Sequence, residues 1–568
     1  MALNVLIGGA AGQGIDTTAT ILEHLFKHAG YHVYTIRDFM SRVRGGHNFI
    51  LIRFGPERIT SHSDKIDCLV AFNEETIQLH LGQLSDRGII LCDASHKTDD
   101  KRAIRVDMSG IAKELGNPRV FGSVAVGAIL QIFTLDMGNL ADVFEKHVPN
   151  AAYAVNLEAA KRGFERVKPQ LSEPTGEDRH FITISGNQSL GLGALAADIR
   201  FYSAYPMSPS TSIMEFLAEH GSSCDVVVEQ AEDEIAAINM AIGASFTGVR
   251  AMTGTSGGGF CLMVEALGLS GIAEIPLVIC DIQRPGPATG LPTRTEQSDL
   301  KFVISASQGE FPRMVIALRS HKDAFEQTVR AFHLAERYRI PVILLSDQYL
   351  ADSTATIEPF MLTEEMAHRE ANESQMISPS TPKESIFDNG YRNYQLTTDG
   401  ITPRIYPGHE VFFAAADSDE HDELAHLTES GEVRQQMMDK RMRKLDTLKQ
   451  ELIEPLLIGS PDCETLLLGW GSMQGPLEEA ISLLDKEYPG KISALVFGDI
   501  FPLPDQKLRL LASNAKRLIN VEQNATGQLA GLIREYTGIT CHAGILKYDG
   551  RQMSGEEICS RLKEEVLG

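Results

Sequence analysis

The sequence predicts a multi-domain α/β protein whose sheets are mainly parallel. Short apolar runs of strand length, such as LNVLIGG and IPLVICDI, alternate with helix-length segments along most of the chain. Glycine-rich turns follow several of these runs and lead into the next helix, as in the strand–helix–strand units of a parallel sheet. A chain of 568 residues is also too long for one hydrophobic core, and its length indicates about three or four domains.

Four segments follow from this alternation. Residues 1–180 read as one α/β domain that closes with a polar, breaker-rich linker, and residues 181–358 repeat the pattern. Residues 359–460 are more polar and contain a long amphipathic helix. Its basic cluster KRMRK is interpreted as a solvated face or a partner contact. Residues 461–568 return to strands alternating with helices.

Composition excludes several classes of function. The formal net charge of -24 argues against nucleic-acid binding and against binding to an anionic membrane surface. No two of the eight cysteines are spaced C-x-x-C, so no local zinc or iron–sulfur motif is present, and no metal ligand is assigned. No apolar run approaches the length of a membrane span, and the N-terminus lacks the pattern of a signal peptide. We therefore expect a cytoplasmic protein without a membrane anchor.

An acid at the start of a small-residue helix is the first candidate functional group. In VVVEQAEDEIAAINMAIGAS, helical spacing places Glu234 on the same face as Ile238 and Ile242, which should meet the core. Acids commonly occupy the first helical turn because they favour the positive end of the helix dipole. A carboxyl placed inside for a ligand is the alternative interpretation.

The N-terminal block offers a candidate anion site. The turn GGAAGQGI joins a strand to a helix and presents backbone N–H groups to an anion. Thr17 and Ala11 stand where the dinucleotide-binding pattern needs glycine, which argues against a nicotinamide dehydrogenase. The nearby basic loop SRVRGGHNF carries Arg44 and His47, which suit a phosphate. A tight turn and a solvated loop are the alternatives.

Three loops of the second segment combine hydroxyl, glycine and arginine residues. YPMSP holds Ser208 between two prolines, and Gly257 to Gly259 form a turn that a ligand or a second chain can approach closely. The loop RPGPATGLPT follows a strand and contains Arg284 and Thr293, a combination that suits a carboxylate. Each loop taken alone is also consistent with an ordinary turn.

Taken in order, YPMSP, EQAEDEIAAINMAIGAS, TGTSGGG and RPGPATGLPT resemble the α subunit of thiamine-diphosphate-dependent 2-oxoacid:ferredoxin oxidoreductases, the 2-oxoglutarate branch most of all. GGAAGQG and RVRGGHNF resemble the γ domain of that family, here fused ahead of the α part. GWGS and NVEQNATGQL resemble its transketolase-C-like domain. The resemblance implies a γ-type domain with linker over 1–180, a pyrimidine-binding domain over 181–358, a connecting region over 359–460 and a transketolase-C-like domain over 461–568.

The resemblance also implies roles for individual residues. Glu234 would be the catalytic glutamate that contacts the pyrimidine ring of thiamine diphosphate, and Thr255 would contact the same cofactor. Ser208 stands where the family usually has threonine, which is a mild departure because either hydroxyl can bind the substrate. The expected substrate-binding residues are Tyr205, Ser208, Arg284 and Thr293, with Arg284 on the carboxylate. Beyond the resemblance, we hypothesise that Gly12, Gly14 and Arg44 help to hold coenzyme A.

Two missing motifs imply a partner. The chain contains no G-D-G, with which the family's magnesium–diphosphate motif begins, and no cysteine cluster. The resemblance therefore implies a separate β subunit that carries Mg2+ and a [4Fe-4S] cluster. It also implies an (αβ)2 assembly, with ferredoxin as electron acceptor.

The expected reaction is reversible oxidative decarboxylation of 2-oxoglutarate with coenzyme A to succinyl-CoA, CO2 and reduced ferredoxin, and it would require the β subunit. Two alternatives stay open. One is the same chemistry on pyruvate, branched-chain 2-oxoacids or indolepyruvate. The other is a non-catalytic nucleotide-binding or assembly subunit.

Overall fold

The computed structural model describes residues 2–41, 46–171, 180–361 and 391–567. The chain forms two compact units. The first comprises Met1–Ser185, Asp352–Pro359 and Ser554–Lys563, and the second comprises Gly186–Ala351, Phe360–Met553 and Glu564–Gly568. The division into four segments stays a prediction. Within the described ranges, every helix is too short or too polar to cross a membrane.

The strands, in chain order, are β1 Leu3–Ala10, β2 His32–Asp38, β3 His47–Gly55, β4 Ile66–Ala71, β5 Leu84–Asp93, β6 Ala103–Val106, β7 Ile182–Ser185, β8 Ile199–Ala204, β9 Val227–Gln230, β10 Arg250–Thr255, β11 Leu277–Gln283, β12 Met314–Ala317, β13 Pro341–Asp347, β14 Thr354–Ile357, β15 Leu456–Ile458, β16 Thr465–Trp470, β17 Ile492–Phe497, β18 Asp499–Phe501, β19 Arg517–Glu522 and β20 Ala543–Leu546.

The α-helices are α1 Ile15–His28, α2 Glu74–His80, α3 Met108–Glu114, α4 Phe121–Ile132, α5 Leu140–His147, α6 Tyr153–Glu165, α7 Gly186–Ala196, α8 Thr211–Cys224, α9 Glu234–Phe246, α10 Gly257–Ile272, α11 Leu300–Ser305, α12 His321–Tyr338, α13 Gln348–Asp352, α14 Gly431–Leu448, α15 Gln474–Asp485, α16 Gln506–Asn514, α17 Gln528–Thr537 and α18 Gly555–Leu562.

The first unit contains an eight-stranded mixed sheet in the order β6-β5-β4-β1-β3-β2-β14-β7. Strands β1, β4, β5 and β6 are parallel, whereas β3 is antiparallel to both β1 and β2. The short connection between β2 and β3 explains this direction, because a parallel pair needs a crossover of about a dozen residues or more. The α/β class predicted from the sequence is confirmed, with an antiparallel part that the apolar runs did not reveal.

Alternate side chains of β1 pack into two different hydrophobic cores in this unit. Val5 and Ile7 contribute to the larger one, which is formed with α1, α3, α4, α5 and α6. Leu6 contributes to a smaller one that includes Ile77 of α2. Alternate residues of a strand point to opposite faces of its sheet, so this near-continuous apolar run is covered on both sides.

The second unit holds a seven-stranded sheet in the order β18-β12-β13-β11-β10-β8-β9. All neighbouring pairs are parallel except the edge pair β12–β18. One face packs on α7, α8 and α12, and the other on α9, α10 and α11. The carboxyl ends of the parallel strands therefore lie along one edge, between the two helical layers.

A five-stranded sheet in the order β15-β17-β16-β19-β20 completes the second unit. The motifs GWGS and NVEQN meet at Glu522, which is fully buried and accepts hydrogen bonds from Trp470 Nε1 (2.9 Å) and Asn524 Nδ2 (2.7 Å). Gln297, in the loop after β11, donates to the carbonyl of Trp470 at 3.0 Å. These motifs therefore join the smaller sheet to the loop that follows β11.

Three of the four cations in the basic cluster on α14, namely Lys440, Arg441 and Lys444, are buried, so the interpretation as a solvated face or partner contact is wrong for them, and only Arg443 is exposed. Lys440 Nζ lies 2.6 Å and Lys444 Nζ 2.5 Å from the two carboxylate oxygens of Glu274. Arg441 pairs with Glu420 at 2.8 Å. Acids from segments distant in sequence neutralise these cations, and only the tertiary fold brings them together. Burial lowers the pKa of Lys444 to about 7, with Glu274 acting in the opposite direction.

Replacing Glu274 with glutamine should destabilise the chain by about 3–5 kcal/mol, because it leaves two buried lysines without a counter-charge. Adding Lys444→Met removes one of these charges and should recover part of the loss. The measurement is the midpoint of urea unfolding, followed by circular dichroism, for E274Q, K444M and the double variant. Glu464→Gln, at a surface ion pair, is the control and should leave the midpoint unchanged. An E274Q midpoint equal to that of the parent would contradict the prediction.

Candidate active site

Four loops meet at the carboxyl edge of the seven-stranded sheet. They follow the neighbouring strands β9, β8, β10 and β11. They contain the motifs EDE, YPMSP, SGGG and RPGPATGLPT, which are widely separated in sequence. Parallel α/β sheets bind ligands at this edge. The edge is therefore the candidate active site.

Glu234 begins α9 and points into the protein. Asp233 caps the helix, its side chain accepting from the Ala236 N–H at 2.8 Å. The apolar face predicted from the sequence is confirmed, since Ile238 and Ile242 are buried together with Glu234, which is 3 % exposed. Among the described residues, Oε1 of Glu234 has no hydrogen-bond partner. A buried carboxyl oxygen left unpaired is costly, so this position suits a donor from a bound group.

The first turn of α10 approaches this carboxyl closely. A Cβ atom at Gly259 would lie 2.4 Å from Glu234 Oε1 and 2.1 Å from Thr255 Oγ1. Only glycine fits there, so the third glycine of SGGG lets Thr255 and Glu234 converge on one point. Thr255 is fully buried, and its hydroxyl faces the sulfur of Met207 at 3.8 Å.

Arg284 and Ser208 are in contact. Nη1 of Arg284 donates to the carbonyl oxygen of Ser208 at 2.8 Å. Arg284 is half-buried and Ser208 is exposed. Burial lowers the pKa of the Arg284 guanidinium, and the negative charge of Asp299 opposes this shift. Tyr205 lies on the same loop as Ser208 and is 41 % exposed. Thr293 is half-buried on the loop that begins at Arg284.

The glycine turn after β1 lies in the first unit. Gly12 and Gly14 have φ angles of 89° and 81°, which favour glycine, and a Cβ atom at either position would meet open space. The side chain of Gln13 folds back to accept from the Ala10 N–H at 2.6 Å. Gly14 is the N-cap of α1 and provides no side-chain cap. This helix start is thus open to an anion, while Arg44 lies outside the described residues.

Two acids at the same sheet edge were missed by the sequence reasoning. Asp281 lies within β11 and is fully buried. Asp299 lies against the first turn of α10, where a Cβ atom at Gly257 would be 2.3 Å from its Oδ2. The signal in the sequence is an acid inside the apolar run LVICDIQ, which is unusual for a central strand.

Over the described residues, the fold and the site together define an α/β protein with an unpaired buried carboxyl beside a glycine turn, an arrangement suited to a cofactor. Residues 192–439 match the family described as pyruvate flavodoxin/ferredoxin oxidoreductase, thiamine diP-bdg. Residues 4–166 match the family described as pyruvate ferredoxin/flavodoxin oxidoreductase.

The chain belongs to the 2-oxoacid:ferredoxin oxidoreductases, as its motifs predicted. The alpha subunit of such an enzyme from Sulfolobus sp is 32% identical, with 98% of this chain and 96% of that one covered. The 2-oxoglutarate synthase subunit KorA of Methanothermobacter marburgensis is 29% identical over 67% of this chain and 97% of that one. The structure of 2-oxoglutarate:ferredoxin oxidoreductase from Magnetococcus marinus, with 2-oxoglutarate, coenzyme A and succinyl-CoA bound, is 30% identical. Its TM-score is 0.89, and 99% of each chain is covered.

Gly259→Ala should destabilise the purified chain by about 1–3 kcal/mol, because its methyl group would displace the Glu234 carboxyl or Thr255. Gly258→Ala is the matched control. Its Cβ would have the carbonyl of Ala288 as its nearest neighbour, at 3.7 Å. Since alanine is favoured over glycine inside a helix, G258A should be neutral or slightly stabilising. Thermal unfolding of both variants measures the difference, and equal midpoints would contradict the packing described here.

Proposed function

We propose that this chain is the α subunit, with a fused γ-type domain, of a thiamine-diphosphate-dependent enzyme that oxidatively decarboxylates 2-oxoglutarate. Coenzyme A takes the acyl group to give succinyl-CoA, and two electrons pass to ferredoxin. The observation that carries the proposal is the buried Oε1 of Glu234 at the start of α9, which has no hydrogen-bond partner in the described part of the chain. Family membership supports the reaction class.

The residues present fit thiamine diphosphate. Glu234 would bind a nitrogen of the pyrimidine ring through its Oε1 atom, which has no hydrogen-bond partner among the described residues. The hydroxyl of Thr255 lies close to the same oxygen, on the other side of the space that Gly259 leaves open. When bound, thiamine diphosphate supplies a carbon nucleophile for the keto group and accepts the electrons left when CO2 departs. The chain's own contribution is to hold a proton between Glu234 and the ring nitrogen, away from water.

Arg284 would bind the carboxylate of the 2-oxoacid. Its contact with the Ser208 carbonyl uses one N–H and fixes the guanidinium plane, so the remaining N–H groups stay available for a carboxylate. The hydroxyls of Tyr205, Ser208 and Thr293 would complete the pocket. The choice of 2-oxoglutarate is supported by relatives whose names state that substrate.

A β subunit would cover the outer faces of α9 and α10. Ile235 is 51 % and Leu262 50 % exposed, and Met240 is also exposed on α9. Helices that are apolar on all sides are normally buried, so these faces suit a partner. The chain also lacks a G-D-G motif and paired cysteines. Mg2+, the diphosphate contacts and the [4Fe-4S] cluster would therefore come from the partner, in an (αβ)2 assembly.

Coenzyme A would bind through the open start of α1. Gly12 and Gly14 allow a phosphate to approach the backbone, and the helix N-terminus attracts its charge. Arg44 would add a charged donor.

Glu234→Gln, in the chain co-expressed with its β subunit, should lower the turnover number about 100- to 10,000-fold, since the amide cannot share a proton as the carboxyl does. Glu232→Gln, an exposed acid two residues earlier, is the matched control and should retain activity. The measurement is reduction of a viologen dye with 2-oxoglutarate and coenzyme A. Full activity of an assembled E234Q complex would favour the alternative that this chain is a non-catalytic nucleotide-binding or assembly subunit.

A panel of 2-oxoacids tests the substrate. The same complex should be most active, by kcat/KM, on 2-oxoglutarate. Preference for pyruvate, a branched-chain 2-oxoacid or indolepyruvate would support the proposed reaction class and reject 2-oxoglutarate as its substrate. Absence of turnover on the whole panel, by a complex that retains its cofactors, would reject the enzyme proposal.

Arg44→Ala should raise the KM for coenzyme A about tenfold and leave the KM for the 2-oxoacid unchanged, because it removes one charge-assisted contact to a phosphate. Arg58→Ala, at an exposed arginine of the same unit, is the control. An unchanged coenzyme A KM in R44A, also when combined with Gly14→Ala, would reject this assignment.

A further inference from the structure

The loop between β11 and α11 has an exposed tip and a buried base. We call residues 284–299 the substrate loop, because it contains Thr293. Its tip, residues 286–291, is exposed to solvent, whereas Thr295 and Gln297 in its base are buried. An exposed loop has few contacts of its own, so the place of the tip and of Thr293 depends on what holds the base.

Gln297 is bonded to the five-stranded sheet through its backbone and its side chain. Its N–H donates to the carbonyl of Gln523 at 2.7 Å, and its Oε1 accepts from the N–H of Gln523 at 3.3 Å. Its Nε2 donates to the carbonyl of Trp470 at 3.0 Å. Asn524 Nδ2 donates to the carbonyl of Gln297 at 3.0 Å. The base of the substrate loop is therefore fixed to the ends of β16 and β19.

Gln528, the first residue of α17, holds the end of the substrate loop. Its Nε2 donates to the carbonyl of Ser298 at 2.6 Å. Its Oε1 accepts from the N–H of Lys301 at 2.9 Å. One half-buried side chain thus spans the last turn of the substrate loop and the first turn of α11.

Gly550, in the turn after β20, contacts the substrate loop on both sides of Thr293. Its carbonyl accepts from the N–H of Thr295 at 3.1 Å. A Cβ atom at Gly550 would lie 3.0 Å from Leu291 Cδ1 and 3.1 Å from Arg294 Cβ. The five-stranded sheet therefore contacts the loop close to the proposed substrate ligand as well as at its base.

Ordinary packing between the two sheets is the alternative explanation for these contacts. An apolar core already joins the sheets, since Leu300 of α11 belongs to the same cluster as Trp470 and Leu529. Apolar contact is non-directional and provides most of the cohesion. Hydrogen bonds have a defined geometry, so those made to the substrate loop add a fixed position that the core does not provide.

We propose that the five-stranded sheet positions the substrate loop, and that Gln528 and Gly550 are positioning residues for the 2-oxoacid. They would act through Thr293 and would not touch the substrate. The assignment of Thr293 to the substrate rests on the proposed function. Displacing a substrate by roughly 1 Å can lower the rate about 100-fold, so the anchoring of this loop is expected to affect turnover.

The first test is Gly550→Ala in the co-expressed αβ complex. The new methyl group would press on Leu291 and Arg294, so G550A should raise the KM for 2-oxoglutarate about tenfold and leave the KM for coenzyme A unchanged. Gly538→Ala is the matched control. Gly538 has a φ of 77° against 82° at Gly550, and a Cβ atom there would meet no described atom within 4 Å. Equal KM values for 2-oxoglutarate in the two variants would overturn the proposal.

Hydrogen–deuterium exchange tests the anchoring without any turnover. Gln528→Met removes both hydrogen bonds to the loop and keeps the length of the side chain, so amides of residues 284–299 should exchange several-fold faster. Glu535→Gln, at an exposed acid of the same helix, is the control and should leave this exchange unchanged. Parent-like exchange in Q528M would overturn the anchoring, even if G550A did not fold.

A double-mutant cycle tests the route through Thr293. Q528M should raise the KM for 2-oxoglutarate in the parent background, but by less than about twofold when Thr293→Val has already removed the hydroxyl. The same factor in both backgrounds would overturn this route. A parent complex that turns over no 2-oxoacid would reject the proposed function and the substrate role together, whereas the exchange measurement would still decide the anchoring.

Discussion

The candidate site depends on one constraint, the burial of the Glu234 carboxyl with its Oε1 unpaired among the residues that the structure describes. Glu234 opens α9 with its side chain inside, although Asp233 beside it performs the usual capping role. The apolar face of α9 holds the acid there, because the helix cannot turn Glu234 to water without exposing Ile238 and Ile242. The chain thus maintains a buried acceptor at a fixed place, which would give the pyrimidine ring of the proposed cofactor a defined position.

Glycines in the first turn of α10 make room for this buried carboxyl, because they have no side chain. Gly259 leaves space for Glu234 and Thr255, and Gly257 leaves space for Asp299. Two carboxyls thereby approach the first turn of one helix from different segments. The positive end of a helix favours nearby acids, so the start of α10 offsets part of the cost of burying them. The motif SGGG therefore has two roles. It forms the turn before α10, and it leaves space for the neighbouring side chains.

Buried charge also organises the rest of the second unit. Glu274 forms ion pairs with two lysines of α14. In the smaller sheet, Glu522 accepts hydrogen bonds from Trp470 and Asn524. Both of these carboxylates have charged or hydrogen-bonding partners, whereas Oε1 of Glu234 has neither among the residues that the structure describes. Paired buried acids hold elements together, whereas an unpaired buried acid in a cleft marks a candidate functional position.

The sequence by itself determined the α/β class, the helix face that contains Glu234, and the family, because these depend on local periodicity and on short motifs. It did not determine the antiparallel strands β2 and β3, the burial of Lys440 and Lys444, or the approach of Asp299 to the first turn of α10. Those features depend on pairing between segments far apart in the chain, through registers and carboxylate partners that no local pattern contains. Ser208 and Arg284, 76 residues apart, illustrate the reason: each loop is an ordinary turn in sequence, and only the order of the parallel strands brings them to one edge.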